Sequence, residues 1–219
     1  MSVEIEVKFY VTDIQALKYR LEVLRARLVQ ARMHEVSVHF DTSKGKLSRS
    51  KQVLRLRKDN RVRLTYKGPS QDEGGASSRQ EIEVTVGDFE ATSQLLQALG
   101  YKVVLSYEKY RTIYKLDDGL VFMDELPYGK FIEIESDNAE DIHKICNKLG
   151  LNWEARIPKG YAALFKRLQK VQSLPFRDLT FANFVGLQIS ADALGVAPAD
   201  MVSNNKVDIE NNSRNSRYL

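Results

Sequence analysis

The sequence predicts an α+β fold, in which a closed, eight-stranded antiparallel β-barrel carries charged side chains inside and helices packed outside. Three observations lead to this prediction. About eight segments alternate apolar and charged residues with the period of two that is typical of β-strands. Three further segments repeat apolar residues every three or four positions, as amphipathic helices do. The charged residues of the strands also come as doublets of one sign, whereas random surface charge would mix signs.

The first predicted strand, VEIEVKF at residues 3–9, has apolar side chains on one parity and Glu4, Glu6 and Lys8 on the other. A strand sends alternate side chains to opposite faces, so this segment has one apolar and one charged face. A helix would not place residues two apart on the same face, and the Glu pair therefore disfavours a helix.

Three amphipathic helices are predicted, and each follows a strand that contains the same alternation of Glu and Ile. Asp13 can cap the first helix, and Gly100 and Gly150 are typical residues at the C-terminal ends of the other two. The predicted helices cover residues 13–28, 88–100 and 137–150.

The other predicted strands lie between the helices. They are VSVHF (36–40), QVLRLR (52–57), RVRLTYK (61–67), QEIEV (80–84), KYRTIYK (109–115), GLVFMDE (119–125) and FIEIE (131–135). Residues 58–60 separate two of them by the length of a hairpin turn, and residues 117–119 are a strong tight-turn signal. The turn-rich segment 68–78 is interpreted as a flexible connection.

The parity of each strand collects the charged residues on one face of the sheet. They are Glu4, Glu6, Lys8, Arg55, Arg57, Arg61, Arg63, Lys67, Arg79, Glu81, Glu83, Lys109, Arg111, Glu133 and Glu135, and Asp124 joins them if its strand faces the same way. The opposite face is apolar, and the three helices are available to cover it. An antiparallel sheet with a solvated charged face stays an alternative. If the sheet instead closes, its interior takes every second residue and becomes a charged tunnel.

The composition excludes several classes of protein. The 219 residues contain one cysteine, Cys146, which excludes an internal disulfide and a cysteine-cluster zinc site. There is no run of about 18 apolar residues that could span a membrane. A charged strand begins at once, without room for a signal peptide, so we expect a cytoplasmic protein.

The pattern weakens towards the C-terminus. We predict one domain over residues 1–168, a partly ordered extension over 169–202 and a disordered polar tail over 203–219. Within the extension, residues 174–187 carry enough aromatic side chains to pack on the domain, and a short helix is predicted at 191–195.

The charged doublets indicate the chemistry of the tunnel. Clustered carboxylates are hard oxygen ligands that suit Mg²⁺ or Mn²⁺, and clustered Arg and Lys suit phosphate oxygens. Together they predict a site for a metal-bound polyphosphate. Phosphoryl transfer depends mostly on positioning and charge neutralisation, and the sequence offers no obvious nucleophilic triad.

The same residues carry a family resemblance. E-x-E-x-K at residues 4–8 resembles the signature of the CYTH superfamily, the triphosphate tunnel metalloenzymes. Five later blocks agree in order, namely LRLR (54–57), RLTYKGP (63–69), RQEIEV (79–84), EKYR (108–111) and DELPYGKFIEIE (124–135). The resemblance covers roughly residues 1–166. It implies an eight-stranded antiparallel tunnel that binds triphosphates with one or two divalent metal ions.

The resemblance also implies roles for individual residues. The implied ligands of Mg²⁺ or Mn²⁺ are Glu4, Glu6, Asp124, Glu133 and Glu135, with Glu83 assisting. The implied triphosphate-binding residues are Lys8, Arg55, Arg57, Arg63, Lys67, Arg79, Lys109 and Arg111, of which Lys8, Lys109 and Arg111 would be catalytic. Glu81 is left open between a ligand and a counter-ion of Arg79, and Arg61 is interpreted as a solvated surface residue. His39 and Tyr107 are interpreted as structural.

The reaction is left open between two chemistries. LGYKVVLSYEKYRTIY at 99–114 is similar to class IV adenylyl cyclases, which convert ATP to cyclic AMP and pyrophosphate. The alternative is a triphosphatase acting on tripolyphosphate, thiamine triphosphate or a nucleoside triphosphate. A non-catalytic polyphosphate or nucleotide sensor is a third hypothesis. The interleaved carboxylates argue against nucleic acid as a partner, no membrane partner is expected, and a homodimer stays open.

Overall fold

A computed structural model describes residues 2–201 of the chain, so the tail predicted at 203–219 lies outside the described residues. Nine strands form one sheet in which all pairings are antiparallel. The strands are β1 (Ser2–Val11), β2 (Arg27–Thr42), β3 (Val53–Lys58), β4 (Val62–Lys67), β5 (Gln71–Glu73), β6 (Ala76–Val86), β7 (Tyr101–Leu116), β8 (Gly119–Leu126) and β9 (Gly129–Ser136).

The described helices surround this sheet or follow it in the chain. The α-helices are α1 (Ile14–Val23), α2 (Lys46–Arg49), α3 (Phe89–Ala98), α4 (Ala139–Leu149), α5 (Tyr161–Gln172) and α6 (Ala191–Leu194). Short 3₁₀ helices lie at Trp153–Ala155 and Ala182–Phe184. No helix within residues 2–201 is both long enough and apolar enough to cross a membrane.

The sheet closes on itself. Its strand order is β1-β9-β8-β7-β2-β3-β4-β6, and β1 pairs with β6 along its second edge, so that eight strands form a ring. The short strand β5 adds to β6 outside this ring. The closing pairs bring Glu4 opposite Arg79, and on the other edge of β1 Lys8 lies opposite Glu133. The prediction of a closed eight-stranded antiparallel barrel is confirmed.

The first helix is shorter than predicted. It ends at Val23, because Arg25 adopts a left-handed backbone conformation with a φ of 57° and the chain then turns into β2. Leu28, which was expected in the helix, therefore lies in β2. That strand is longer than predicted because it pairs with β7 over its whole length, a long-range interaction that local periodicity does not report.

The later predicted helices lie close to the predicted positions. Asp88 caps α3 through the backbone amide of Ala91, and Asn138 caps α4 through the amide of Asp141. Helices α2 and α5 were not predicted, and β5 lies in the segment interpreted as a flexible connection. Helix α5 crosses residue 168, where the domain boundary was placed, and the division of the chain at that residue stays a prediction.

Two apolar cores hold the ring against its helices. One packs the outer faces of β1, β8 and β9 against α1 and α4, where Leu21, Ile134 and Ile142 have no exposed surface. A smaller core packs Leu96 of α3 on the outer faces of β2 and β3, around the fully buried Leu56.

A third core lies at one end of the barrel. Tyr107 and Phe131 have the same strand parity as the charged residues, and they pack with Leu164 and Phe165 of α5 and with Leu179. The C-terminal elements therefore cover one end of the interior. Backbone hydrogen bonds fasten this segment to the ring, between residues 106 and 179, 108 and 179, and 10 and 199.

Helices cover only part of the barrel. Ile82 and Val84 on β6 were expected to lie beneath helices, but they are 45% and 50% exposed. The expectation was wrong because α1 and α4 pack on β1, β8 and β9, whereas α3 packs on β2 and β3.

Replacing Ile134 by Ala is expected to lower the free energy of unfolding by about 2–5 kcal/mol, because a fully buried side chain is lost from the core beneath α4. The same change at Ile82, which is also on the outer face but half exposed, is expected to cost less than about 1 kcal/mol. Urea unfolding of both variants measures the difference. Equal losses of unfolding free energy in the two variants would contradict the observation that helices cover Ile134 but not Ile82.

Candidate active site

Many of the strand residues that point into the barrel are charged, and their side chains are buried. Those with less than a tenth of their surface exposed are Lys8, Glu35, Arg57, Lys67, Lys109, Arg111, Asp124 and Glu133. The charged face predicted from the sequence is therefore the interior of the barrel. Buried ions cost several kcal/mol each unless they are paired, so their partners decide what the interior can do.

An ion-pair network centred on Asp124 fills the middle of the interior. Asp124 is completely buried and accepts hydrogen bonds from Lys109 Nζ at 2.8 Å and from Arg111 Nε at 2.6 Å. Arg111 also pairs with Glu133, whose other oxygen lies 2.6 Å from Lys8 Nζ. Burial alone would lower the pKa of Arg111, but Asp124 and Glu133 raise it well above its ordinary value. The network therefore holds Arg111 firmly charged, whereas burial and the neighbouring Arg111 lower the pKa of Lys109.

Tyr161 belongs to this network and was missed by the sequence reasoning. It is the first residue of α5, and its hydroxyl donates a hydrogen bond to Asp124 at 2.8 Å. Its ring lies under Lys8 Nζ at 4.5 Å and near Lys109 Nζ at 5.4 Å from the centroid. The cations thus rest on a π-face supplied by the C-terminal segment. Because that contact forms between distant parts of the chain, no local pattern could have predicted it.

Glu35 is a second residue that was missed. It is 2% exposed and lies opposite Lys109 in the β2–β7 register, with Oε2 3.6 Å from Lys109 Nζ and 3.5 Å from Arg57. Burial alone would raise the pKa of Glu35, but Lys109 and Arg57 lower it to about 2. Glu35 lies on the same face of β2 as Ser37, but the predicted strand begins at residue 36 and therefore does not include it.

A carboxylate cluster lies where β1 meets β6 and β9. Lys67 Nζ bridges Glu4 and Glu81 at 2.5 and 2.7 Å, and Arg79 contacts Glu4 and Glu6 at 3.4 and 3.0 Å. Glu135 lies opposite Glu6 in the register. Burial and then the charges of Glu4 and Glu6 raise the pKa of Glu135 to about 7. The cluster therefore holds more negative charge than its two cations neutralise.

The carboxylate cluster fits a divalent cation by its chemistry. Glu4, Glu6 and Glu135 offer hard oxygen donors, and the raised pKa of Glu135 indicates a place where added positive charge is favourable. Within residues 2–201, no three Asp, Glu, His or Cys side chains are already assembled as a metal site. Asp124 and Glu133 act here as counter-ions of Lys109, Arg111 and Lys8, and their role as metal ligands stays a prediction.

A wall of arginines lies on β3 and β4. Arg57 is directly opposite Arg63 in the register, and Arg55 is two residues away on the same face. The Nε atoms of all three are buried and have no hydrogen-bond partner in the described part of the chain. Burial and the neighbouring Arg55 lower the pKa of Arg57. Other atoms of these side chains do meet carboxylates, since Arg63 pairs with Asp59 and Arg57 lies 3.5 Å from Glu35, so what distinguishes the wall is its set of unsatisfied Nε donors.

The barrel interior brings together the residues that the sequence predicted for the site, apart from Glu83. The Asp124 network contains Lys8, Lys109, Arg111, Asp124 and Glu133, the carboxylate cluster contains Glu4, Glu6, Lys67, Arg79, Glu81 and Glu135, and the arginine wall contains Arg55, Arg57 and Arg63. Glu83 instead accepts a hydrogen bond from Thr65, and Arg61 is exposed. The catalytic and binding roles assigned to these residues stay predictions.

Comparison with known proteins gives a consistent result. The sequence profile of the CYTH domain matches residues 2–161. Over 173 residues the chain is 28% identical to a Methanocaldococcus jannaschii protein provisionally named an adenylate cyclase, and the match covers 74% of this chain and 98% of that protein. It is 25% identical over 174 residues to adenylate cyclase CyaB of Aeromonas hydrophila, with 74% and 87% covered.

Solved structures share the fold. A protein of Pyrococcus horikoshii matches with a TM-score of 0.63 and 30% identity, covering 72% of this chain and 96% of that one. A protein of Hippeastrum matches with a TM-score of 0.59, covering 74% of this chain and 95% of the other, and at 17% identity it supports the fold alone.

Replacing Glu35 by Gln is expected to lower the free energy of unfolding at pH 7 by about 3 kcal/mol, because a carboxylate with a pKa depressed from 4.5 to about 2 stabilises the folded state above its unfolded pKa. That stability is lost as the pH falls from about 4.5 towards 2, so the difference between the two proteins should shrink over this range. Denaturant unfolding across a pH series measures it. The exposed Glu22→Gln is the control, and a difference that is constant with pH would contradict the assignment.

Proposed function

The chain belongs to the CYTH domain family, and from this premise we propose that it is a divalent-metal-dependent enzyme that acts on triphosphate substrates. The observation that carries the proposal is the arginine wall, in which the buried Nε atoms of Arg55, Arg57 and Arg63 meet no hydrogen-bond acceptor within residues 2–201. A buried donor without a partner costs free energy, and an anion with many oxygens removes that cost at three positions together. A polyphosphate chain supplies such oxygens in a row.

The carboxylate cluster supports the metal requirement of this proposal. Glu4, Glu6 and Glu135 would hold Mg²⁺ or Mn²⁺, which supplies charge neutralisation and orientation of phosphate oxygens when bound. The arginine wall on β3–β4 and the carboxylates of β1 and β9 occupy different strands of one ring. A sensor that binds only the anion would have little need for the carboxylate cluster.

The residues of the Asp124 network would orient and stabilise the reacting groups. Asp124, Glu133 and the Tyr161 ring hold Lys8, Lys109 and Arg111 in place. Positioned cations stabilise the charge that develops on phosphoryl oxygens in the transition state. These are the residues to which we assign the catalytic role.

Our first choice of reaction is that of a class IV adenylyl cyclase. In this reaction the 3′-hydroxyl of ATP attacks the α-phosphorus, and the β- and γ-phosphates leave together as pyrophosphate. The names of the Methanocaldococcus and Aeromonas relatives favour this reaction. The second candidate is hydrolysis, in which water attacks the terminal phosphorus of a triphosphate. We keep it as a candidate because the Hippeastrum protein, which shares the fold, is described as an adenylyl cyclase with a dominant triphosphatase activity.

One experiment separates these reactions. Metal-stripped protein is given ATP, tripolyphosphate or thiamine triphosphate, and Mg²⁺ or Mn²⁺ is then restored. Cyclic AMP with pyrophosphate would identify a cyclase, and orthophosphate would identify a triphosphatase. Tight binding of any of the three without turnover would favour the sensor. If the protein shows no binding and no turnover of any of them, the proposal is wrong.

Replacing Arg57 by Gln is expected to raise the Kd for tripolyphosphate about 10- to 100-fold, because a charge-assisted hydrogen bond contributes about 1.5–3 kcal/mol. The fold should survive, since Glu35 keeps Lys109 as a partner. Calorimetric titration measures the Kd, and Arg61→Gln on the exposed turn is the matched control. Equal effects of the two changes would indicate nonspecific attraction.

Replacing both Glu4 and Glu6 by Gln is expected to abolish metal-dependent turnover but to leave tripolyphosphate binding in chelator largely intact. The two changes remove oxygen donors for the metal, whereas the arginine wall lies on other strands. Glu125→Gln is the control, because Glu125 pairs with Arg32 outside the interior. Near-normal rates in the double variant would refute the metal assignment.

A further inference from the structure

Tyr107 packs in the core at the end of the barrel, as a packing residue does, and the structure also places it beside the arginine wall. In the sheet register Tyr107 lies opposite Ser37, and Ser37 lies opposite Arg57 on the next strand. Tyr107 is 5% exposed, and Arg55 is the cation that acts on it most strongly. It therefore stands next to the guanidinium groups that carry the proposed triphosphate site.

The groups that face Tyr107 are mostly cationic. Arg55 and Arg57 approach from β3 and Lys109 from β7, two residues along the same face. On β2, the ring of His39 meets the Tyr107 ring edge-on, with 5.3 Å between centroids, and burial and the nearby arginines lower the pKa of His39 to about 3. His39 is therefore uncharged near neutral pH and adds no positive charge.

The remaining neighbours add little negative charge. Glu35 on β2 is engaged with Lys109 and Arg57, and Asp178 of the C-terminal segment accepts the amide of Ser106. The phenol of Tyr128, from the turn between β8 and β9, stays protonated because burial raises its pKa well above 10. The cations consequently dominate the surroundings of Tyr107. Burial alone would raise its pKa, but Arg55, Arg57 and Lys109 lower it to about 7.

We infer, on the basis of the proposed function, that the Tyr107 hydroxyl is a further substrate-contacting group, which takes up a proton when a triphosphate binds and then donates a hydrogen bond to a phosphate oxygen. A phenolate and a phosphate oxygen compete for the same guanidinium groups, and two anions so close disfavour each other. The phenolate oxygen resolves this conflict by accepting one proton from the solvent, which forms the O–H bond. The released arginine donors then turn to the phosphate.

The pH dependence of binding follows from this exchange. Below pH 7 the free protein already holds the proton, and binding requires none. Above pH 7 the free protein holds phenolate, and each bound triphosphate must bring about the uptake of a proton. The affinity of the wild type should therefore fall by up to about tenfold per pH unit above pH 7, relative to a variant without the hydroxyl.

The first test uses the free protein. Near-ultraviolet absorbance should report one tyrosinate that forms with a midpoint near pH 7, far below the ordinary range of tyrosine. Tyr107→Phe should lack this step. Tyr114→Phe should keep it, because Tyr114 is equally buried on β7 but packs in the core outside the barrel. A wild-type protein without the step overturns the inference, whatever the variants do.

The second test uses inorganic tripolyphosphate. Calorimetric titrations at pH 8 in two buffers of different ionisation enthalpy give the number of protons taken up on binding. The wild type and Tyr114→Phe should take up about one proton more than Tyr107→Phe. The protons of the ligand itself are common to all three proteins and cancel in this difference.

The outcomes separate this inference from the proposed function. Binding to the wild type with the same proton uptake as Tyr107→Phe overturns the inference alone. No binding to the wild type overturns the proposed function and the inference with it. A tyrosinate step that persists in Tyr107→Phe assigns the group to another residue and also overturns the inference.

Discussion

Closure of the sheet is the constraint on which the rest of the structure depends. Strand β1 pairs with β9 on one edge and with β6 on the other, so every strand of the ring has two neighbours. In an open sheet the charged face would meet water, and the doublets of Glu, Lys and Arg would be ordinary surface residues. In a closed ring the same face loses bulk water, and each charge needs a partner of opposite sign. Each charged residue that faces inward therefore needs a nearby group that neutralises it.

Side chains satisfy that need in one part of the interior only. Around Asp124, cations and carboxylates alternate, and the Tyr161 hydroxyl donates a further hydrogen bond to Asp124. On β3 and β4 the Nε atoms of three arginines have no acceptor among the described residues, and around Glu135 the carboxylates outnumber the cations. The first region is balanced by its own side chains, whereas the second has unsatisfied donors and the third has excess negative charge. Buried charge without a partner lowers the stability of the fold. Such side chains are retained where a bound ligand of the opposite sign neutralises them.

Much of the fold and the site could be predicted from local pattern, and the failures share one cause. Strand parity correctly placed Lys8, Arg57 and Lys109 in one interior, because alternation is a property of a few consecutive residues. The full length of β2, and with it Glu35, was missed because pairing with β7 extends that strand. Tyr161 was missed because its role arises only when α5 docks on the end of the barrel. Helical cover for Ile82 was wrongly expected because periodicity does not say where a helix packs.

The amino-acid sequence by itself determined which side chains share a face, roughly where α1, α3 and α4 lie and what chemistry the charged face can support. These properties depend on neighbours a few residues apart, and composition and periodicity report them directly. Only the tertiary structure decided which charges neutralise one another. Lys67 meets Glu4, 63 positions away, and Arg79 meets Glu6, 73 positions away, because ring closure sets β6 against β1 and β4 pairs with β6 on its other edge. This pairing results from many long-range contacts acting together, and no local stretch of the chain contains it.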